Sequence, residues 1–297
     1  MKFIYFLIAS CIFLSNTYSQ IFIKVTDEDN DIADAAGAGA STYTGCAWVD
    51  YDNDGRLDLF WVQRGLYHNT GTSFEKNTDA DIAITSGIGT SWSDYNNDGF
   101  IDCFIAGGGT IGSLLYKNNG DGTFTKITSG PLSPATDLRA WACAWGDINN
   151  DSYTDIVLAA PFGFAGIDDE NKFLLNKGDG IFEKLDTILI AQGTAPYTIA
   201  TWSDYDMDGD IDCFIGSGPA NGTVAPDYLY KNEFSETVAS AFFTKINTAP
   251  IGTNFLDGQV WNWIDYDNDE DLDAYVTNYV GTSGGAGMAN NLYRNDG

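Results

Sequence analysis

The sequence contains few of the residues that catalytic sites and nucleic-acid-binding surfaces use. Its 297 residues include one histidine, His68, and 14 Lys and Arg against 42 Asp and Glu, which gives a formal net charge of −28. No G-x-S-x-G motif occurs, and one histidine cannot supply a His/Cys zinc cluster. No Lys/Arg cluster offers a phosphate-binding patch, and the negative charge repels nucleic acid. We therefore expect a protein that is not an enzyme and has no nucleic-acid partner.

The sequence also lacks any apolar run long enough to cross a membrane. The longest run, Phe3 to Leu14, follows Lys2 and is shorter than the roughly 20 residues of a spanning helix. It is followed by Thr17-Tyr18-Ser19, whose residues suit a cleavage site. We predict a signal peptide at 1–19, a repeat domain at 20–297, and a secreted or cell-surface protein without a transmembrane segment.

Cysteine is scarce, and its positions are regular. Four cysteines remain after the signal peptide, in slots that other repeats fill mostly with apolar residues: Cys46, Cys103, Cys143 and Cys213. Such slots favour cysteine as a small hydrophobe, so we expect four buried free thiols. A secreted protein permits disulfides, and the sequence does not fix any pairing.

Aspartate is abundant, and half of the acidic residues fall in five short loops of the form D-x-[DN]-x-D-x-x-x-D. Each loop lies between a tryptophan-containing segment and a short apolar strand. Oxygen ligands at alternate positions of a tight loop are what Ca²⁺ requires. We number the loop positions from the first Asp and predict one Ca²⁺ per loop, up to five in all. The predicted ligands at positions 1, 3, 5 and 9 are Asp50, Asp52, Asp54 and Asp58; Asp94, Asn96, Asp98 and Asp102; Asp147, Asn149, Asp151 and Asp155; Asp204, Asp206, Asp208 and Asp212; and Asp265, Asp267, Asp269 and Asp273.

These loops differ from EF-hands and from one another. An EF-hand needs a bidentate Glu at position 12, where all five loops have an apolar residue, so the Asp at position 9 must complete the shell. Position 6 is Gly in three loops but Ser152 and Glu270 in the other two, a strain if φ is positive there. We rank the loops at Asp50 and Asp204 as the strongest sites and the loop at Asp147 as the weakest. The alternatives are ordinary solvated turns, or ions that serve only to stabilise the fold; we favour this stabilising role over a direct function for the ions.

The repeat period of 44 to 61 residues is typical of a four-stranded propeller blade. Each repeat continues into a strand such as Leu115-Tyr116-Lys117-Asn118, a tight turn, and a closing strand such as Phe124-Thr125-Lys126. The fold class that we predict is all-β, a β-propeller with five visible repeats. The segment Phe22 to Thr26 reads as an isolated closing strand, and none follows Asn295-Asp296-Gly297. We expect a fragment of a ring of about seven blades; the alternative is a closed five-bladed ring.

These motifs resemble the FG-GAP/VCBS-type repeats of integrin α-subunit heads and secreted bacterial proteins. Trp48-Val49-Asp50-Tyr51-Asp52-Asn53-Asp54-Gly55 and the run from Leu115 to Phe124 look most like propellers of the cartilage-acidic-protein kind. The resemblance covers residues 22 to 297. It implies calcium at positions 1, 3, 5 and 9 of each loop and a ring of about seven blades.

The expected function is adhesion or ligand binding, with a protein or glycan as the partner. The connections after the second strand of each repeat vary in length and content, and such loops on a rigid scaffold commonly carry recognition. They and the segments beside them contain aromatic residues that could stack on a sugar: Phe162, Phe164, Tyr197, Tyr228 and Tyr279. The alternative is the propeller of a polysaccharide-acting enzyme, lectin-like or lyase-like.

Overall fold

The protein is built of short antiparallel strands. A computed structural model describes residues 31–32, 45–82, 87–108, 112–133, 138–163, 167, 169–218, 225–234, 243–278 and 289–297. The strands are β1 Cys46–Val49, β2 Asp58–Trp61, β3 Gly65–Asn69, β4 Phe74–Lys76, β5 Thr90–Ser93, β6 Asp102–Ile105, β7 Leu114–Asn118, β8 Phe124–Lys126, β9 Ala142–Gly146, β10 Asp155–Ala159, β11 Lys172–Asn176, β12 Phe182–Lys184, β13 Tyr197–Ser203, β14 Asp212–Ser217, β15 Ala225–Pro226, β16 Tyr228–Asn232, β17 Phe243–Lys245, β18 Phe255–Leu256, β19 Gly258–Ile264, β20 Asp273–Asn278 and β21 Asn291–Tyr293.

The described residues contain no α-helix, only single 3₁₀ turns at Leu189–Ala191 and Pro250–Gly252. No helix in this part of the chain is long and apolar enough to cross a bilayer. The predicted signal peptide and the segment Phe22 to Thr26 lie outside the described residues.

The strands form five blades in chain order. Four blades are four-stranded meanders, β1-β2-β3-β4, β5-β6-β7-β8, β9-β10-β11-β12 and β13-β14-β16-β17, and the fifth has three described strands, β19-β20-β21. The short pair β15-β18 joins the fourth blade to the fifth. The predicted all-β propeller with five repeats is confirmed. Because the strands alternate in direction, the five Asp loops lie at one end of the blades and the variable connections lie at the other.

The blades pack through their first strands and a set of aromatic side chains. β1, β5, β9, β13 and β19 are neighbours in that order, whereas β1 and β19 make no comparable contact in the described part of the chain. Trp92 packs edge-on against Phe60 of the preceding blade at 5.1 Å, and Trp145 does so against Phe104 at 6.1 Å. Such contacts bury apolar area between neighbouring sheets.

Trp48, the tryptophan before the first Asp loop, lies outside the core. Its side chain is 57% exposed. The cause is its place in β1, because no described blade lies on that side to cover the sheet face. Its described ring partner is Phe74 of its own blade.

The cysteines follow the prediction with one exception. All four are free thiols; Cys103, Cys143 and Cys213 are buried, and Cys46 is exposed. Burial raises the pKa of the Cys143 thiol to about 12. Cys46 lies on β1, the same uncovered strand as Trp48, so the prediction that its thiol is buried is wrong.

Candidate metal centres

All five Asp loops share one hydrogen-bond pattern around the carboxylate at position 1. In the first loop the amide of Asp54 donates to Asp50 Oδ1 at 3.0 Å, and the amide of Gly55 donates to Asp50 Oδ2 at 2.9 Å. The same two bonds, from positions 5 and 6, occur in the other four loops. The chain therefore curls around its first carboxylate in the same way five times.

The loop backbone has positive φ at position 6, which meets the condition for strain stated above, and also at position 4. Ser152 has φ 70° and Glu270 has φ 79°, so both carry the strain expected of side chains in the left-handed region. Position 4 was not predicted to be special. It is left-handed in every loop, and its residues are Asn53, Asn97, Asn150, Met207 and Asn268. The repeated Asn was the signal, because Asn tolerates this region better than most residues.

The carboxylate at position 9 organises the blade. Asp102 has no exposed surface, and its oxygens accept the amide of Tyr95 at 3.3 Å and that of Asn118 at 2.7 Å. The equivalent Asp of every other loop accepts the same two amides. Burial, the largest cause, raises the pKa of Asp102, Asp155 and Asp212 to about 7. These three loops thus hold a buried carboxylate that favours neutralisation.

Three loops gather their carboxylates closely. Ligand oxygens lie within 4.8 Å of one another in the sets Asp50, Asp52, Asp58; Asp204, Asp206, Asp212; and Asp265, Asp267, Asp269. In the second and third loops Asn replaces Asp at position 3. There Asn96 Nδ2 faces Asp102 Oδ2 at 3.4 Å, and Asn149 Nδ2 faces Asp151 Oδ2 at 2.9 Å. In both loops the side-chain nitrogen of the Asn faces the carboxylates, whereas a bound cation would need the side-chain oxygen there.

Basic side chains from the third strand lie over several loops. Lys117 Nζ is 2.9 Å from Asp98 Oδ2, and Lys231 Nζ contacts Asp206 and lies 3.0 Å from Asp208 Oδ2. Asp206 Oδ1 is buried without a hydrogen-bond partner. An orphaned carboxylate oxygen inside an all-oxygen donor set fits a hard divalent cation.

His68 takes the same place over the first loop. Its side chain is 29% exposed, and Nδ1 lies 3.1 Å from Asp52 Oδ2. The ring is therefore partly buried beside the loop carboxylates. His68 lies over the loop because β3, the strand that carries it, runs back beside the loop.

Two sets of asparagines link the loops and blades. At position 4, Asn53 Nδ2 donates to the carbonyl of Gly99 in the next loop at 2.9 Å, and Asn97 Nδ2 donates to that of Ser152 at 3.0 Å. Asn150 continues the series by contacting Gly209 and Asp210, at 3.5 and 2.7 Å. These position-4 links join the first four loops, and Met207 in the fourth loop cannot make one.

The second set lies at the end of the third strand of a blade or, for Asn295, two residues beyond it, and no role was predicted for these residues. Asn176 Nδ2 donates to the carbonyl of Tyr95, at position 2 of the preceding loop, at 2.7 Å. Asn118, Asn232 and Asn295 make the same bond to Tyr51, Ile148 and Tyr205. The available signal was the Asn that recurs at this position, after Leu-Tyr-Lys in two blades and after Leu-Leu or Leu-Tyr-Arg in the others. We call this bond the cross-blade clamp.

Met207→Asn is expected to stabilise the protein. Met207 is 55% exposed and has φ 55°, so Asn relieves left-handed strain on the order of 1 kcal/mol and supplies the missing position-4 side chain. We expect a rise of a few degrees in melting temperature, measured by calorimetry in EGTA. Met207→Leu is the matched control and should leave the melting temperature unchanged. An equal rise in both variants would contradict the conformational explanation.

A buried acid pair lies outside the loops, at the junction of the fourth and fifth blades. Asp227 and Asp257 have no exposed surface, and Asp227 Oδ1 accepts the amide of Ser217 at 2.9 Å. Burial and then the charge of Asp257 raise the pKa of Asp227 to about 7. The equivalent slots of the third and fifth blades hold neutral Asn171 and Asn290, whose Oδ1 atoms accept the corresponding amides at 2.9 and 3.0 Å.

Asp227→Asn is expected to stabilise the protein above pH 7. A carboxyl whose pKa is raised on folding binds more protons in the folded state, so stability falls as pH rises from about 4 to 7. The substitution should flatten this decline and add at most about 4 kcal/mol at pH 8. Urea unfolding from pH 4 to 8 measures the profile, with Asp186→Asn on the surface as control. An unchanged profile would contradict the assignment.

Of the aromatic residues proposed for recognition, the structure brings together only Tyr197 and Tyr228 among the described ones, and it does so by packing. Phe162 is 38% exposed, but Tyr197 is buried and packs on Tyr228 at 5.6 Å. Tyr197 is therefore a packing residue, and its predicted availability for stacking is wrong. Phe164 and Tyr279 lie outside the described residues.

One apolar cavity of about 330 Å³ lies between the fourth and fifth blades and is lined by Tyr205 and Trp263. Between the first and second blades the corresponding residues are Tyr51 and Trp92, and both contact Phe124 of the second blade's closing strand, at 6.2 and 6.0 Å. The cavity thus lies where an aromatic side chain packs between these two blades. We therefore assign it to blade packing rather than to a ligand.

Comparison with known proteins supports the repeat assignment. A family model described as FG-GAP-like repeat matches residues 94–158, which include the second and third Asp loops. No curated protein matches the sequence.

Among solved structures, the chain is similar to one titled as the basis of specific recognition of non-reducing terminal N-acetylglucosamine by an Agrocybe aegerita lectin. The two share 17% sequence identity at a TM-score of 0.50, over 86% of this chain and 66% of the other. At that identity the likeness concerns the fold, and this chain spans just under two thirds of the lectin's length. The chain is therefore a β-propeller whose residues 94–158 match the FG-GAP-like repeat, and the blades outside that range repeat the same loop and hydrogen bonds.

Proposed function

We propose that the protein is a calcium-binding propeller that serves outside the cell as an adhesion or ligand-binding module. The observation that carries the calcium assignment is the fivefold repetition of one carboxylate loop whose position-9 Asp is buried. No basic residue forms an ion pair with Asp102 or Asp155 within 4 Å in the described part of the chain. Neutralisation by a bound cation removes the cost of burying these charges.

The ligands proposed for each Ca²⁺ are the side-chain oxygens at positions 1, 3, 5 and 9, with further oxygens from the backbone or water to reach six to eight. Position 1 is already held by two amides and position 9 by two more. Binding therefore has to reorient mainly positions 3 and 5. In the second and third loops Asn96 and Asn149 must turn their amide oxygens inward, which favours weaker binding there.

The ligand-binding part of the proposal rests on the rigid arc of blades and on the variable connections at the end opposite the Asp loops. Recognition on such connections is common. The similarity to a lectin that recognises terminal N-acetylglucosamine supports a glycan as the first class to test. Because the loops and connections lie at opposite ends, we expect calcium to act on ligand binding through blade rigidity.

Two measurements test the proposal. Calcium added to the chelated protein should raise the melting temperature, since an ion that binds only the folded state stabilises it by mass action. Glycan-array binding should then fall when EGTA is present. Absence of any shift in millimolar Ca²⁺ would refute calcium binding. Release of new reducing ends from acidic polysaccharides would instead favour a polysaccharide-cleaving enzyme over the non-catalytic role proposed.

A further inference from the structure

The first Asp loop differs from the others in the side chain that lies over it from the third strand. The equivalent slots hold Lys117, Leu175, Lys231 and Arg294, and only the first blade has a side chain there with a lone pair, His68. An ammonium or guanidinium group can neutralise carboxylates but cannot ligate a metal ion. Imidazole can do either.

The geometry places His68 among the loop carboxylates. Nδ1 lies 3.1 Å from Asp52 Oδ2 and 3.3 Å from Asp58 Oδ1, and Nε2 lies 3.9 Å from Asp54 Oδ2. Ligand atoms of Asp52, Asp54 and His68 lie within 4.8 Å of one another.

Three features suit the ring to a ligand role. Nδ1 is buried and has no hydrogen-bond partner of acceptable geometry. The ring stands edge-on to buried Tyr51, at 6.3 Å and 86°, which fixes its plane. A cavity of about 430 Å³, lined in part by Tyr51, Asp52 and His68, connects the loop to solvent and gives an ion access.

We propose that the first loop is a mixed nitrogen–oxygen site that holds a transition-metal dication of the Zn²⁺ or Mn²⁺ class, with His68 Nδ1 as a ligand beside the loop carboxylates. The proposal rests on the proposed function and changes it at one site: the first loop takes a transition metal in place of Ca²⁺, and the other four loops hold Ca²⁺. Imidazole nitrogen suits borderline transition metals, whereas Ca²⁺ is bound through oxygen alone. One nitrogen among three carboxylates therefore changes the preferred ion of one site.

The competing explanation is that His68 is an imidazolium counter-ion that neutralises Asp52 and Asp58, as Lys117 neutralises Asp98. The two explanations differ in the response to metal. A counter-ion is displaced by any dication and confers no preference, whereas a ligand raises the affinity for transition metals.

Co²⁺ is the probe, because its visible absorption reports nitrogen ligation. The full chain is titrated with Co²⁺ in excess Ca²⁺, and we expect one equivalent to bind at the first loop. His68→Lys and His68→Leu, which copy the second and third blades, should weaken binding by at least the roughly 10- to 100-fold that loss of an outer-shell partner costs. Circular dichroism confirms that each variant is folded.

Lys231→His provides a gain-of-function test at the fourth loop, whose Asp204, Asp206 and Asp212 are gathered like those of the first. It should create a second Co²⁺ equivalent. Mn²⁺ electron spin-echo spectra of the unaltered protein should contain an imidazole nitrogen signal that His68→Lys removes. Equal Co²⁺ affinity in the unaltered and His68→Lys proteins would overturn the proposal.

Calorimetric titration of His68→Lys with Ca²⁺ measures calcium binding independently of the histidine, so this proposal and the proposed function can fail separately. Calcium binding without a Co²⁺ equivalent that depends on His68 would refute only the mixed site. A histidine-dependent Co²⁺ equivalent without calcium binding would refute only the calcium assignment.

Discussion

Asp102→Ala is expected to lower the free energy of unfolding by about 2 to 4 kcal/mol in EGTA as well as in calcium. The buried carboxylate accepts the amides of Tyr95 and Asn118, and alanine leaves both donors without a partner. Relief of the buried charge offsets part of this cost, so the loss should be somewhat smaller at pH 8 than at pH 6. Urea unfolding under both conditions measures it.

Asp98→Ala is the matched control in the same loop. Asp98 occupies position 5, at the surface, where Oδ1 accepts the amide of Phe100 and Oδ2 pairs with Lys117. Its removal should cost about 1 kcal/mol or less in EGTA, since exposed ion pairs contribute little, and more in calcium. If both variants lose stability only when calcium is present, position 9 is a ligand without the structural role assigned to it.

Asn176→Ala should be comparably destabilising, by about 2 to 4 kcal/mol. Its fully buried amide donates to the carbonyls of Tyr95 and Thr154, at 2.7 and 3.2 Å, and its oxygen accepts the amide of Gly178 at 3.1 Å. Truncation removes a clamp between two blades and leaves three polar groups unpaired. Thermal unfolding followed by calorimetry gives the loss.

Asn69→Ala provides the comparison, because Asn69 occupies the same position in the first blade but has no described preceding blade to clamp. Its Nδ2 donates to Leu57 of its own blade at 2.9 Å. We expect a loss of about 1 kcal/mol, the ordinary worth of such a bond. Equal losses in the two variants would mean that the contact between blades adds nothing.

The sequence predicted most of the architecture because the repeat combines two independent signals. Alternating strands around Gly and Asn turns predicted the sheets, and the recurring Trp before each loop predicted the blades. The exposure of Trp48 could not be predicted from the pattern, since burial of an identical residue depends on whether another blade covers it. Cys46 differs from Cys143 for the same reason.

The candidate site was predicted in its residues but not in its organisation. The spacing of Asp50, Asp52, Asp54 and Asp58 indicated a metal loop, and the Gly found at position 6 in three loops indicated a sharp turn there. Asp58 is also a buried hydrogen-bond acceptor for two distant amides. This role depends on how the next strand packs beside the loop, and the spacing of the Asp residues gives no information about that. The place of His68 over the loop depends on the same packing of β3.

The position-4 links imply that the first four loops do not fill independently. When an ion orders one loop, the Asn at its fourth position holds the carbonyl of the next loop in place, so the second ion meets a site that has already lost part of its conformational entropy. Occupancy should then spread from neighbour to neighbour, as in a one-dimensional lattice with favourable nearest-neighbour coupling. The fifth loop receives no position-4 link from Met207 and is joined to the fourth loop by the clamp of Asn295, so its coupling should be weaker than that among the first four.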